Sequence, residues 1–163
     1  MKKTLTRSII LAAAMFNLLL FDGCNKDETP QPTVESHTFS VSTWSWNSPH
    51  YYVNLAVPEL TADNINTAGV MVYYSANPGT WVSVPYTVYG TIHDYHIGFL
   101  YAAGTVEVTW LYDGASSGDD PNTYYGTTVK CKVVVVPSSL REANPDLNWD
   151  NYAAVKAALQ LED

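Results

Sequence analysis

The chain of 163 residues carries 8 Lys plus Arg against 16 Asp plus Glu, a formal charge of −8, with 47% hydrophobic residues and twelve Tyr. That length suits one domain. A charged fraction of 15% beside so much apolar sequence excludes a disordered acidic tail, and the acid excess excludes a nucleic-acid surface, which is basic.

Lys2, Lys3 and Arg7 give the amino terminus a positive n-region, and Ile9 to Phe21 is apolar except for Asn17. As a helix this run spans roughly 20 Å, short of the ~30 Å hydrocarbon core, so export is expected and a permanent membrane span is not. The following Asp22, Gly23 and Cys24 resemble a bacterial lipoprotein signal, in which the Cys becomes the lipidated first residue of the mature chain. Gly23 fits the small residue before the Cys, whereas Phe21 stands where Leu is usual, with Asp22 between them. The resemblance implies a signal peptide over 1–23, lipidation at Cys24 and an outer-membrane location. The alternative is an ordinary signal peptide, or an uncleaved helix, with an incidental Cys. Lys26, Asp27 and Glu28 further resemble the export signal of surface lipoproteins in the Bacteroides group, which implies display on the cell surface rather than on the periplasmic leaflet.

Cleavage before Cys24 would leave 140 residues with 5 basic and 15 acidic side chains, a formal −10. Such a domain repels anionic headgroups, so the expected link to the membrane is the lipid anchor only. With Cys24 acylated, Cys131 has no disulfide partner. It alternates with Val129, Val133 and Val135, the pattern of a small core residue.

The segment 24–36 reads as a tether with prolines, and 37–163 as the folded domain. Period-two alternation marks strands at Phe39 to Val41 and at Tyr51 to Val57, with a helical turn or loop in the segment ELTADNINTA after Pro58. Val70, Val72 and Tyr74 alternate with Met71 and Tyr73. After the turn residues Asn77, Pro78 and Gly79, Trp81 to Tyr86 is predicted to return as one hairpin arm. Tyr95 to Tyr101 and Val106 to Tyr112 predict a second hairpin turning at Ala103 and Gly104, followed by a long loop from Asp113 to Thr127. In Thr128 to Val136, Lys130 and Lys132 are expected to face out, and Val134 and Val136 on the same face need a cover. A terminal helix capped by Asn148, with Asp150 in its first turn, offers Tyr152, Val155 and Leu159 for it. About seven strands without βαβ alternation predict an all-β antiparallel β-sandwich, immunoglobulin-like, with a short C-terminal helix; a barrel is the alternative.

The stretches GVMVYYSANPGTWVSVPY, VPELTADNINTAG and VVVVPSS, with the ending DLNWDNYAAVKAALQL, resemble a group of uncharacterised small lipoproteins of the Bacteroides group (Bacteroidota). The likeness covers most of the mature chain. Its motifs are strand, hairpin and helix patterns, so it implies fold, anchoring and lineage and no activity.

His93, Asp94 and His96 are the first candidates for a metal or acid–base site, with His37 or His50 to complete it. No zinc-like spacing is present, and His93 and His96 face opposite ways in an extended strand. Asp113, Asp119, Asp120 and Asn122 lack the alternation of a calcium loop, so no metal and no cofactor is expected. Carboxylate pairs such as Glu59 with Asp63, or Glu107 with Asp94, arise in any acidic domain, and no nucleophile elbow appears. The remaining unusual feature is the aromatic surplus at Trp44, Trp46, Tyr51, Tyr52, Tyr73, Tyr74, Trp81, Tyr124 and Tyr125. In each adjacent strand pair one ring should enter the core and the other lie outside. Tyr124 and Tyr125, in the long loop, are the candidate ligand-binding residues, unless one plugs the open end of the sandwich. The expected function is therefore a non-catalytic, surface-displayed binding or accessory module for a glycan or a protein. An enzyme acting on an extracellular polymer and a structural part of an outer-membrane assembly are the alternatives.

Overall fold

The computed structural model describes residues 33–114 and 118–162. The expected signal segment, the lipidation at Cys24 and the expected tether up to residue 32 lie outside the described residues.

Among these residues nine strands form two antiparallel sheets. One sheet runs in the order β1 (Glu35–Val41), β9 (Val129–Val136), β4 (Gly69–Ser75), β5 (Val82–Val84). The other runs β2 (Ser45–Asn47), β3 (His50–Val57), β8 (Gly104–Tyr112), β7 (Tyr95–Ala102), β6 (Tyr86–Val88). The expected antiparallel β-sandwich is present, with nine strands in place of about seven. One reason is Pro85, which has no N–H to give to a ladder. The segment expected as one arm from Trp81 to Tyr86 is split there: Val84 pairs with Val72 in the first sheet and Tyr86 with Ile97 in the second. At the amino-terminal edge, β1 already includes Glu35 and Ser36, two residues read as tether.

The core lies between the sheets and follows the period-two reading. Leu55 and Val57 of β3, Val106 and Val108 of β8, and Val129 and Val133 of β9 are all buried. Burying each of these side chains contributes roughly 1.5 to 3 kcal/mol. Cys131 sits among them, fully buried, and burial pushes its thiol up to about 12.

β9 is covered on both faces, which its unbroken valine run requires. A second cluster, on the outer side, joins Val134 and Val136 to Tyr73 of β4 and to Tyr152 and Val155 of a terminal helix (Tyr152–Leu159), with Leu159 half-buried beside them. Two shorter helices precede it in the chain, Pro121–Tyr125 and Ser138–Ala143, so the three are α1, α2 and α3 in order. The cap of α3 is Asn151, whose side chain accepts from Ala154 N, and not Asn148, whose carboxamide accepts from Asp150 N one turn earlier. The Tyr73 hydroxyl donates to Trp149 O at 2.7 Å and ties this approach segment to the sheet.

This cover overturns two expectations. Tyr73 and Tyr74 are both buried, because the face that would have left Tyr73 in water lies under α3. Lys132 does not face solvent either: it is 1% exposed, with its ammonium donating to the Tyr152 hydroxyl at 2.5 Å and to Glu162 O at 3.1 Å. No helix among the described residues is long and apolar enough to cross a membrane.

Candidate binding site

The segment expected as a loop from Asp113 to Thr127 contains α1. Asp120 caps it, its carboxylate accepting from the backbone of Asn122 and Thr123, and Pro121 begins it with φ already set. Gly126, at φ 65°, ends it in a left-handed turn that a side chain would strain. Asn122 anchors it to the sheet, donating to Val41 O and accepting from Val129 N. This short helix therefore holds Tyr124 and Tyr125 at fixed angles, edge to face with centroids 4.9 Å apart.

The two rings have different surroundings. Tyr125 turns inward against Tyr74 and the fully buried Trp110, and plugs this end of the sandwich. Burial, with the neighbouring Tyr124 and Tyr86 hydroxyls adding to it, pushes its phenol up to about 12. Tyr124 is on the surface and leans on Tyr95 at 4.7 Å and on Trp110 at 5.7 Å. Tyr95 in turn stacks on Trp110 and touches Tyr112, so Tyr124 caps a continuous aromatic block. Burial raises the Tyr95 phenol, against a hydrogen bond with the Asp119 backbone that acts the other way.

Beside Tyr124 opens a cleft of about 300 Å³ lined by Tyr89, Ile92, His93, Tyr95 and Tyr112. Tyr89 is 81% and Ile92 84% exposed, and both stand on the turn between β6 and β7. That turn is held from below: Asp94 accepts from Gly90 N, and Asp113 accepts from Asp94 N and lies 3.3 Å from His93 Nδ1. Gly118 packs closely on two of the lining rings: a Cβ there would come within 2.8 Å of the Tyr112 ring and 3.0 Å of the Tyr95 hydroxyl. A floor of packed tyrosines, a rim of exposed apolar groups and a few polar atoms are the makings of a small-ligand cleft.

Neither a protein-family model, nor a curated protein, nor a solved structure matches the chain.

The histidines weighed in the sequence as a metal or acid–base site, His93 and His96, lie apart. His93 edges onto Tyr112 in the cleft, whereas His96 lies on the outer face of its sheet beside Thr87. Asp120 and Asn122 are engaged in capping and anchoring α1. His37, considered only as a completing ligand, instead joins Glu35 and Glu59, with its Nε2 2.9 Å from Glu59 Oε2. Tyr89, Ile92, Tyr95 and Tyr112 were not singled out in the sequence as site residues. The available signal was Ile92, an isolated aliphatic in a Gly, Thr, His and Asp turn.

Proposed function

We propose that the chain is a lipid-anchored, surface-displayed binding module whose ligand-binding surface is the aromatic cleft at Tyr124. The observation that carries this is the rim itself: Tyr89, Ile92 and Tyr124 are exposed around a cleft whose floor is rigid packed rings. Exposed rings on a fixed backbone bury large area at low entropic cost on binding, and their flat faces suit the apolar faces of sugars. A glycan is the ligand class this favours. A protein partner is the second reading, favoured by the nearly fully exposed aliphatic Ile92.

The sandwich supports an immunoglobulin-like reading. The order β3-β8-β7 matches the B-E-D arrangement of that fold and the neighbours β9 and β4 match its F and C, with β1 occupying the edge beside β9. Loops at one end of such sandwiches are where recognition resides. Here β1 begins at the other end, since Glu35 pairs with Val135 while Val41 and Val129 lie beside α1. A tether from Cys24 would thus join the domain far from the cleft.

Cell fractionation and glycan arrays test the proposal. Cys24→Ser should release the protein from membranes, and protease added to intact cells should cleave the native form. A mutant that stays membrane-bound, or a native form cut only after lysis, contradicts the anchor or the display. A domain retained by neither glycans nor surface proteins contradicts the binding role.

A further inference from the structure

We propose that Glu35, His37 and Glu59 form a binding site for one divalent transition-metal ion of the Zn²⁺ type, at the end of the sandwich opposite to the aromatic cleft. Glu35 and His37 are two apart on β1 and so project from the same face of the edge strand. The loop after β3 brings Glu59 to them. Its backbone is fixed there by Leu60 N donating to Val57 O and by the Asn64 side chain donating to Glu59 O at 2.7 Å.

One ligand atom from each of the three side chains lies within 4.8 Å of the other two, and all three side chains are half-buried. Zinc holds imidazole nitrogen and carboxylate oxygen at about 2.0 to 2.2 Å, which places tetrahedral ligands about 3.3 Å apart. Rotamer adjustments of the two Glu side chains span the difference. Metal at Nε2 would replace the hydrogen bond from His37 to Glu59, leaving the ring proton on Nδ1.

Charge points the same way. Two carboxylates are held together here, and among the described residues the ion-pair contact to them within 4.0 Å is that of His37 to Glu59. A dication would neutralise both. A cavity of about 180 Å³ opens on Glu35 and Glu59 and gives room for water in the remaining coordination positions. The imidazole selects a transition ion over Mg²⁺ or Ca²⁺, which take oxygen ligands alone. Binding would clip the edge strand β1 to the loop after β3.

The test is calorimetric titration of the detergent-purified, chelator-stripped chain with Zn²⁺, followed in parallel by the histidine ring resonances in NMR. One equivalent should bind, raise the melting temperature where Mg²⁺ does not, and shift the His37 ring signals. Glu35→Gln and His37→Ala should each weaken binding by at least about 10-fold, while His50→Ala and His96→Ala leave it unchanged. Absence of binding, or binding that survives Glu35→Gln and His37→Ala, overturns the proposal. Should those variants fail to fold, stoichiometric Zn²⁺ that shifts other histidines and leaves His37 unmoved overturns it equally.

Discussion

The Lys132 ammonium lies 2.5 Å from the Tyr152 hydroxyl and 4.8 Å from the centre of that ring, at its hydroxyl end, so the tyrosine takes it as a hydrogen-bond donor. Trp81 adds a second ring at 5.4 Å. A lysine on the outer face of β9, beside Val134 and Val136, is tolerated under α3 because its stem packs like an aliphatic side chain while its head finds hydroxyl and carbonyl oxygen and the Trp81 ring.

Lys132→Ala should therefore cost about 2 to 4 kcal/mol in urea unfolding. Lys132→Met, which keeps the stem, should cost at least about 1 kcal/mol less. Tyr152→Phe should lose about 1 to 3 kcal/mol with the hydrogen bond. Equal stabilities for the Ala and Met variants would show that the stem does not pack.

The cover by α3 has a graded prediction of its own. Val155 is fully buried, so Val155→Ala should cost about 2 kcal/mol, whereas the half-buried Leu159 should cost only about 1 kcal/mol on change to Ala. Deleting everything after Asn148 should expose Val134, Val136 and Tyr73 and abolish cooperative unfolding. An unchanged urea midpoint after that deletion would contradict the packing.

Alkaline pH should destabilise the fold progressively. Burial moves the Cys131 thiol from an ordinary 9.0 to about 12, and Tyr125 from 10.0 to about 12. As pH rises the unfolded chain loses these protons first, so stability that is fully present below pH 9 is lost progressively between pH 9 and pH 12. Cys131→Ala should delay the onset of that fall toward pH 10, where Tyr125 and the phenols of Tyr73, Tyr74 and Tyr95, all raised by burial, begin to contribute. The native thiol should resist a thiol reagent at neutral pH and react once urea unfolds the chain.

Tyr124 and Tyr125 should separate by function. Tyr125→Ala removes the plug against Trp110 and Tyr74 and should lower stability by about 3 kcal/mol. Tyr124→Ala, at an exposed ring, should cost less than about 1.5 kcal/mol. Thermal melts of the two variants decide this, and a larger loss at Tyr124 would reverse the assignment.

Strand periodicity made most of the sandwich readable, because in β3, β7 and β8 alternation alone gives the buried face, and in β4 and β9 it gives the face toward the other sheet. What escaped depends on contacts distant in sequence. The burial of Tyr73 and Lys132 needs a helix that returns over the outer face, and local alternation only reports which side a residue is on. The split at Pro85 requires knowing that Tyr86 has a partner in the other sheet. Of the site, Tyr124 and Tyr125 were visible as ring neighbours in a polar segment. Their division into rim and plug depends on the angle set by α1 and its caps at Asp120 and Gly126. The floor residues Tyr95 and Tyr112 carry the same strand signature as any core tyrosine, so nothing in the sequence separated them.

The rim of the aromatic cleft is the proposed ligand surface. It is tested most directly by comparing the native chain with a Tyr89→Ala/Tyr124→Ala double variant, both on a glycan array and in capture from intact cells. The native protein should be retained and the double variant lost, with the variant's melting temperature close to native. Retention that is the same in both, or absent from the native protein in both formats, would contradict it.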